Sequence, residues 1–191
     1  MKNFFSVLSG VIIIMGFIPY VKTIFQGKTK PVKSTWLVYA VLDTIIFAGM
    51  YFEKAVNGQI ASSILCASTV FFLSLKYGKS GWTKIDIFAL VFAAIGIVLW
   101  VLFDDPILCL GVSLSVLFAG SIPTFISVYY DSSREDKLSW TIFEISAVFA
   151  LLGVPKWTFA DAATPTVFFL IETIMMYLLY INPKFHKSTI Y

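Results

Sequence analysis

Three carboxylic acids lie within long apolar segments of this sequence: Asp43, Glu144 and Glu172. No lysine or arginine lies at a similar depth in any apolar segment, and the closest, Lys22, is near the end of the first one. A charged carboxylate inside a bilayer costs at least a few kcal/mol, so each acid must face water, bind a cation or stay protonated. All three states suit a site for a solute or a proton. The alternative is a neutral acid that only hydrogen-bonds one helix to another.

Two prolines and several polar side chains are further candidates. Pro19 and Pro123 lie inside apolar segments, where each removes a backbone hydrogen bond and kinks its helix. Paired kinks predict hinges, and a static bend is the alternative. The candidates for lining a cavity are Tyr20, Tyr39, Ser62, Thr69 and Thr166. Hydroxyl side chains in helices also bond to their own backbone, so that alternative stays open for the serine and threonines.

Residue types that support enzymatic or metal chemistry are scarce. Cys66 and Cys109 both fall in apolar segments, and the single histidine, His186, lies near the carboxyl terminus. No nucleophile with a histidine partner, metal-ligand cluster or phosphate-binding loop can be assembled from them. We therefore expect no enzymatic activity, no metal, no cofactor and no nucleic-acid partner.

Composition determines which elements can position the acids. Of the 191 residues, 59% are hydrophobic and 13% are charged, whereas a soluble domain carries about 25% charge. So much apolar surface predicts lipid as the solvent, and a span takes about 20 apolar residues. The fold class is therefore an all-α membrane protein with seven transmembrane helices. The predicted spans are 4–25, 35–53, 59–76, 84–103, 106–130, 138–155 and 162–182.

Basic residues are unevenly divided between the two sets of loops. One side has three: Lys2, Lys54 and Lys156. The other side has eleven: Lys22, Lys28, Lys30, Lys33, Lys76, Lys79, Lys84, Arg134, Lys137, Lys184 and Lys187. Because basic residues concentrate in cytoplasmic loops, we expect the amino terminus outside and the carboxyl terminus inside, in a bacterial cytoplasmic membrane. The first apolar segment is too long for a typical signal-peptide core and lacks a small-x-small cleavage site, so we expect it to be a span.

A shift of 104 residues aligns two parts of the chain. Six identities fall in this register without a gap: Gly16 and Gly120, Ile18 and Ile122, Pro19 and Pro123, Lys33 and Lys137, Trp36 and Trp140, Gly49 and Gly153. A chance match between apolar sequences is the alternative. The register predicts two parallel three-helix repeats, residues 1–83 and 104–191, joined by a linking helix at 84–103. Parallel repeats place a binding site at their interface near the membrane midplane.

In each repeat the first helix contains Gly-x-Ile-Pro, and a polar loop and a tryptophan follow. This pattern resembles the PQ-loop superfamily, which includes the SWEET sugar carriers, cystinosin-like carriers and the KDEL receptor. The glutamine after the proline is replaced by Tyr20 and Thr124, and the sugar-binding asparagines of SWEET carriers have no match. The resemblance implies a 3+1+3 fold, and the missing asparagines weaken the hypothesis of a sugar substrate in particular. Val41-Leu42-Asp43 is similar to the Leu-Leu-Asp of cystinosin-like carriers, which implies proton coupling through Asp43.

The sequence therefore predicts a membrane carrier for a small polar solute, neutral or cationic, that works by alternating access, with proton coupling as an open part of the hypothesis. The alternative is a non-transporting receptor or assembly protein on the same fold. A hydrated cavity at mid-depth would favour the carrier. The expected partners are the lipid bilayer and a small-molecule solute, and a homo-oligomer is left open.

Overall fold

The computed structural model describes residues 1–79 and 105–181, and between them the scattered positions 82–84, 87, 88, 90, 91, 94, 95, 98 and 102. Residues 1–79 and 105–181 form six α-helices and one short 3-10 helix, Ser132–Arg134, and no β-strand occurs among the described residues. The helices are α1 Lys2–Phe25, α2 Lys33–Phe52, α3 Gly58–Tyr77, α4 Pro106–Tyr130, α5 Lys137–Leu152 and α6 Phe159–Tyr180. Most of the predicted linking helix at 84–103, and the tail beyond residue 181, lie outside the described residues.

Five helices are long and apolar enough to cross a membrane: α1, α2, α3, α6 and residues Ile107–Tyr130 of α4. They indicate an integral membrane protein. Helix α5 has 16 residues, fewer than the roughly 20 that a span takes. It stops short of the predicted boundary at 155 because Gly153 ends it, and because Pro155 disfavours a helical conformation at the residue before it. The count of seven spans and their orientation stay predictions.

Polar side chains cap the start of four helices. Each accepts a hydrogen bond from a backbone amide of the first turn, which satisfies a donor that has no partner within the helix. The capping residues are Asn57 for α3, Asp105 for α4, Asp136 for α5 and Thr158 for α6. The last cap begins α6 at Phe159, three residues before the predicted start.

The six helices pack as a closed ring. Helix α3 packs against α1 and α2, and α6 packs against α4 and α5. The two groups meet where α1 contacts α5 and where α2 contacts α4. If α1, α2 and α3 are swapped in order with α4, α5 and α6, the same pairs of helices are in contact. The packing therefore has the two-fold pattern that a parallel repeat would produce, while the duplication itself stays a prediction.

Glycines at equivalent positions bring the two groups close together. A Cβ atom added to Gly16 of α1 would lie 2.7 Å from the Phe143 ring and 3.1 Å from Ile142 on α5. A Cβ atom added to Gly120 of α4 would overlap Val38 of α2. Gly16 and Gly120 are separated by 104 residues, and so are Val38 and Ile142. The two interfaces between the groups therefore use the same pair of positions, and a larger side chain at either glycine would push the helices apart.

The outer surface of the ring is apolar. On α1, for example, Phe4, Val7, Val11, Ile14 and Ile18 are exposed, and their spacing of three or four residues places them along one face of the helix. A contiguous exposed apolar stripe of this length is rare on a soluble monomer and indicates contact with lipid.

Backbone hydrogen bonds join the loops at one end of the ring. The amide of Lys30 donates to the carbonyl of Arg134 at 2.8 Å, and the amide of Lys79 donates to the carbonyl of Pro31 at 3.1 Å. These bonds tie the loop after α1 to the loop after α3 and to the loop after α4. We call this end of the ring the basic end, because Lys28, Lys30, Lys79 and Arg134 surround one pocket there.

Candidate functional site

A cavity of about 40 Å³ lies inside the ring of helices. All six helices contribute to its walls, so it lies where the two groups of three helices face each other. Its lining residues are Ile13, Phe17, Trp36, Tyr39, Asp43, Ser63, Ala67, Leu117, Trp140, Phe143, Phe168, Ile171 and Glu172. A water molecule needs about 10–15 Å³ in this kind of space. The cavity in this form therefore has room for about three waters.

Asp43 and Glu172 both line this cavity, although they come from helices in different groups. Both are buried, with 2% of Asp43 and 5% of Glu172 exposed. Asp43 follows Lys33, the first residue of α2, by ten positions, and Glu172 precedes Tyr180, the last residue of α6, by eight. At 1.5 Å per residue they lie about 15 and 12 Å from the basic end. Tertiary packing thus brings the two acids to similar depths at one site.

Neither acid is fully paired within the described residues. Asp43 Oδ1 and Glu172 Oε2 are buried and have no hydrogen-bond partner. Among the residues that line the cavity there is no lysine, arginine or histidine. A buried carboxylate without a partner is costly, so each acid needs a proton, a water molecule or a cation from outside the protein.

Aromatic rings form much of the cavity wall. Phe17 packs against Phe143 with ring centroids 4.6 Å apart, and Phe17 also meets Trp36 at 5.8 Å. Trp140 meets Phe143 at 5.5 Å, and Trp36 meets Tyr39 at the same separation. Trp36 and Trp140 lie in the first turn of α2 and of α5. The aromatic layer therefore lies between the acids and the basic end.

Glu135 lies beyond this aromatic layer, in the loop that precedes α5, and only 5% of it is exposed. Its Oε2 accepts hydrogen bonds from the Tyr20 hydroxyl at 2.6 Å and from Trp140 Nε1 at 3.0 Å. Burial away from water raises the pKa of the Glu135 carboxyl from 4.5 to about 7, against the opposing effect of these two hydrogen bonds. We call Glu135, Tyr20 and Trp140 the Glu135 cluster. It joins α1 to α5, and hence one half of the ring to the other, at the basic end.

Of the two tyrosines predicted to line a cavity, only one does so. Tyr39 lines the cavity, and its hydroxyl lies 2.8 Å from Ser121 Oγ. Tyr20 does not line it and instead belongs to the Glu135 cluster.

The predicted lining residues Ser62, Thr69 and Thr166 do not border this cavity, although Thr166 borders a separate, more open pocket between α4 and α6. Thr69 is exposed and donates to the carbonyl of Leu65, while Thr166 donates to the carbonyl of Ala162. For these two threonines, the bond to their own helix is the interpretation that the structure supports. Ser62 is partly buried, and its hydroxyl lies near Gly10 at the contact between α1 and α3.

Glu144 does not line the cavity either. It is partly buried, and its Oε1 accepts a hydrogen bond from Thr173 Oγ1 at 2.9 Å. This bond connects α5 to α6. This bond fits the alternative given for this acid, in which it hydrogen-bonds one helix to another, but its Oε2 is buried without a partner, as one oxygen of Asp43 and one of Glu172 are.

The two prolines lie inside continuous helices, Pro19 in α1 and Pro123 in α4. Proline has no amide hydrogen, so the carbonyls four residues earlier, at Met15 and Ala119, lose their helical donor. Pro19 immediately precedes Tyr20, so bending at this point would move Tyr20 relative to Glu135. The role of both prolines as hinges stays a prediction.

Glu135 is a site residue that the sequence pattern does not single out. It occurs in a charged stretch, Asp131 to Lys137, that is typical of an exposed loop. One signal was available, because Glu135 precedes the repeat-motif tryptophan, Trp140, by five residues and lies just before the start of α5. A side chain at that spacing can reach back to the indole, as the 3.0 Å bond shows.

Comparison of the chain with protein-family models, with curated proteins and with solved structures finds no match. The class that the fold and the cavity define is therefore a broad one: an integral membrane protein whose packed helices enclose an acidic, aromatic cavity. Any narrower assignment depends on the geometry of that cavity.

Proposed function

We propose that the chain is a carrier for a small polar solute, neutral or cationic, that works by alternating access on a PQ-loop-like fold. One observation carries the proposal: two buried, incompletely paired carboxylates, Asp43 and Glu172, face one cavity that all six helices enclose. Incompletely paired acids deep inside a membrane protein are expensive, and such residues mark solute or ion pathways. Their position between two groups of three helices supports a binding site of the kind that lies between parallel repeats.

Alternating access also needs two halves that can move and a barrier that can open. The symmetric packing of α1 to α3 and α4 to α6 supports the two halves. The Glu135 cluster supports a barrier at the basic end, because its two hydrogen bonds connect α1 and α5 across the interface between the halves. The positive-inside pattern assigns this barrier to the cytoplasmic side.

The test uses purified protein in proteoliposomes after a screen of solutes by thermal shift, since a ligand of the folded state raises its stability. We expect Asp43→Asn to fold, to bind the solute and to exchange it across the membrane. We expect the same variant to lose accumulation driven by a pH gradient, because the amide mimics a permanently protonated acid. Glu53→Gln, an exposed acid at the end of α2, is the matched control and should behave as the wild type.

Each other outcome has a distinct meaning. Loss of binding in Asp43→Asn would show direct contact with the solute. Unchanged accumulation under the pH gradient would exclude proton coupling through Asp43. Absence of exchange in the wild-type protein for every solute that binds would favour the alternative, a receptor or assembly protein on the same fold. The small volume of the cavity, about 40 Å³, is the observation that favours this alternative.

A further inference from the structure

We propose that the central cavity binds an organic cation, namely a compact ammonium group with small apolar substituents. This inference rests on the proposed function only in taking the cavity as the solute site. It narrows the solute from any small polar molecule to one chemical class. Two features of the lining carry it: an excess of carboxylates and a wall of aromatic rings.

The first feature is charge. The lining includes Asp43 and Glu172 and no basic side chain, and one carboxylate oxygen on each acid is buried without a partner. A cation in this cavity would be attracted by an ionised lining carboxylate more strongly than in water, because the surroundings have a low dielectric constant. An anion would add a third negative charge to the same space. A neutral solute would leave any ionised acid uncompensated.

The second feature is the aromatic wall, made of Phe17, Trp36, Tyr39, Trp140, Phe143 and Phe168. Cations are attracted to the faces of such rings within about 6 Å, and aromatic cages are a known means of recognising quaternary ammonium groups. A carbohydrate would instead need many hydrogen-bonding partners. The lining hydroxyls are already engaged, Ser63 with the carbonyl of Ile60 and Tyr39 with Ser121.

The donor set also favours an ammonium group over a metal ion. Calcium takes six to eight oxygen ligands and magnesium takes an octahedral set. The described residues contain no group of three histidine, cysteine, aspartate or glutamate side chains that could hold a metal ion. Most of the other lining side chains are aromatic or aliphatic and supply no oxygen ligand. The cavity in this form has room for about three waters, so it must widen to admit an ammonium head group, and a compact head group needs the least widening.

The direct test compares choline with 3,3-dimethylbutanol, which has the same shape with a carbon in place of the charged nitrogen. Tetramethylammonium and glucose complete the set. On the purified full-length protein, we expect choline and tetramethylammonium to raise the melting temperature saturably, with choline binding about tenfold more tightly than the alcohol. Equal binding of choline and the alcohol, binding of glucose alone, or no binding of any of the four would overturn the proposal.

Two pairs of variants test the two features of the lining. Glu172→Gln should weaken choline binding by about tenfold or more, while Glu53→Gln, which removes an exposed acid outside the cavity, should leave it unchanged. Phe168→Leu should weaken choline binding several-fold, and Phe169→Leu, its neighbour outside the lining, should not. If both members of either pair have the same effect, the cavity is not the cation site. The wild-type comparison of choline with its neutral analogue remains decisive if a variant does not fold.

Exchange of radiolabelled choline in proteoliposomes separates this inference from the proposed function. Saturable binding without exchange would leave the cation site intact and remove the carrier. Exchange of the neutral alcohol or of glucose, without choline binding, would leave the carrier intact and remove the cation site.

Discussion

Replacement of Glu135 by glutamine tests the structure most directly, because Glu135 is buried and lies outside the membrane-spanning helices. Glutamine keeps the shape of the side chain and an oxygen that can accept the bonds from Tyr20 and Trp140, but it carries no charge. The pKa of the Glu135 carboxyl is raised from 4.5 to about 7, chiefly by burial. The folded protein therefore binds the proton more tightly than the unfolded chain does.

The sign and size of the effect follow from this difference in pKa. The stability that the protonated form of Glu135 provides is fully present below pH 4.5 and is lost as the pH rises through about 7. A difference of roughly 2.5 pH units corresponds to about 3 kcal/mol. We therefore expect Glu135→Gln to match the wild type near pH 4.5 and to be more stable by up to about 3 kcal/mol at pH 8.

The assay is unfolding in detergent across pH 4.5 to 8.5, with the difference between wild type and variant plotted against pH. Subtraction removes contributions from groups that titrate in the same way in both proteins. Glu53→Gln serves as the control for the loss of an exposed acid and should show no such difference. Parallel curves for wild type and Glu135→Gln across the whole range would refute the burial of this carboxyl.

Two further predictions concern packing and topology. Gly120→Leu should destabilise the protein by about 1–3 kcal/mol or more, because an added side chain overlaps Val38. Gly49→Leu is the control, since a Cβ atom there meets no other atom within 4 Å. Equal melting temperatures for the two variants would contradict the close approach of α2 and α4. A cysteine in place of Lys156 should react with a membrane-impermeant thiol reagent on intact cells, and a cysteine in place of Lys30 should not, because basic loops face the cytoplasm. The opposite labelling pattern would show that the orientation is inverted.

The sequence by itself determined the class of the protein and the position of most helices. Hydropathy is a property of neighbouring residues, so runs of apolar residues predict helices in lipid without knowledge of the fold. The same local logic singled out Asp43 and Glu172, because an acid in an apolar run is conspicuous wherever the run packs. Exact helix ends were less predictable, as at α5, where Gly153 and Pro155 end the helix earlier than hydropathy indicates.

The tertiary structure decided which of these residues meet. Glu144 and Glu172 look alike in sequence, yet only Glu172 reaches the cavity, because the direction of each side chain depends on how its helix is rotated in the ring. Glu135 looked like part of a solvated loop and became a buried acid only because Tyr20, 115 residues earlier, packs against it. Local sequence carries no record of contacts over such separations, since they arise from the packing of whole helices.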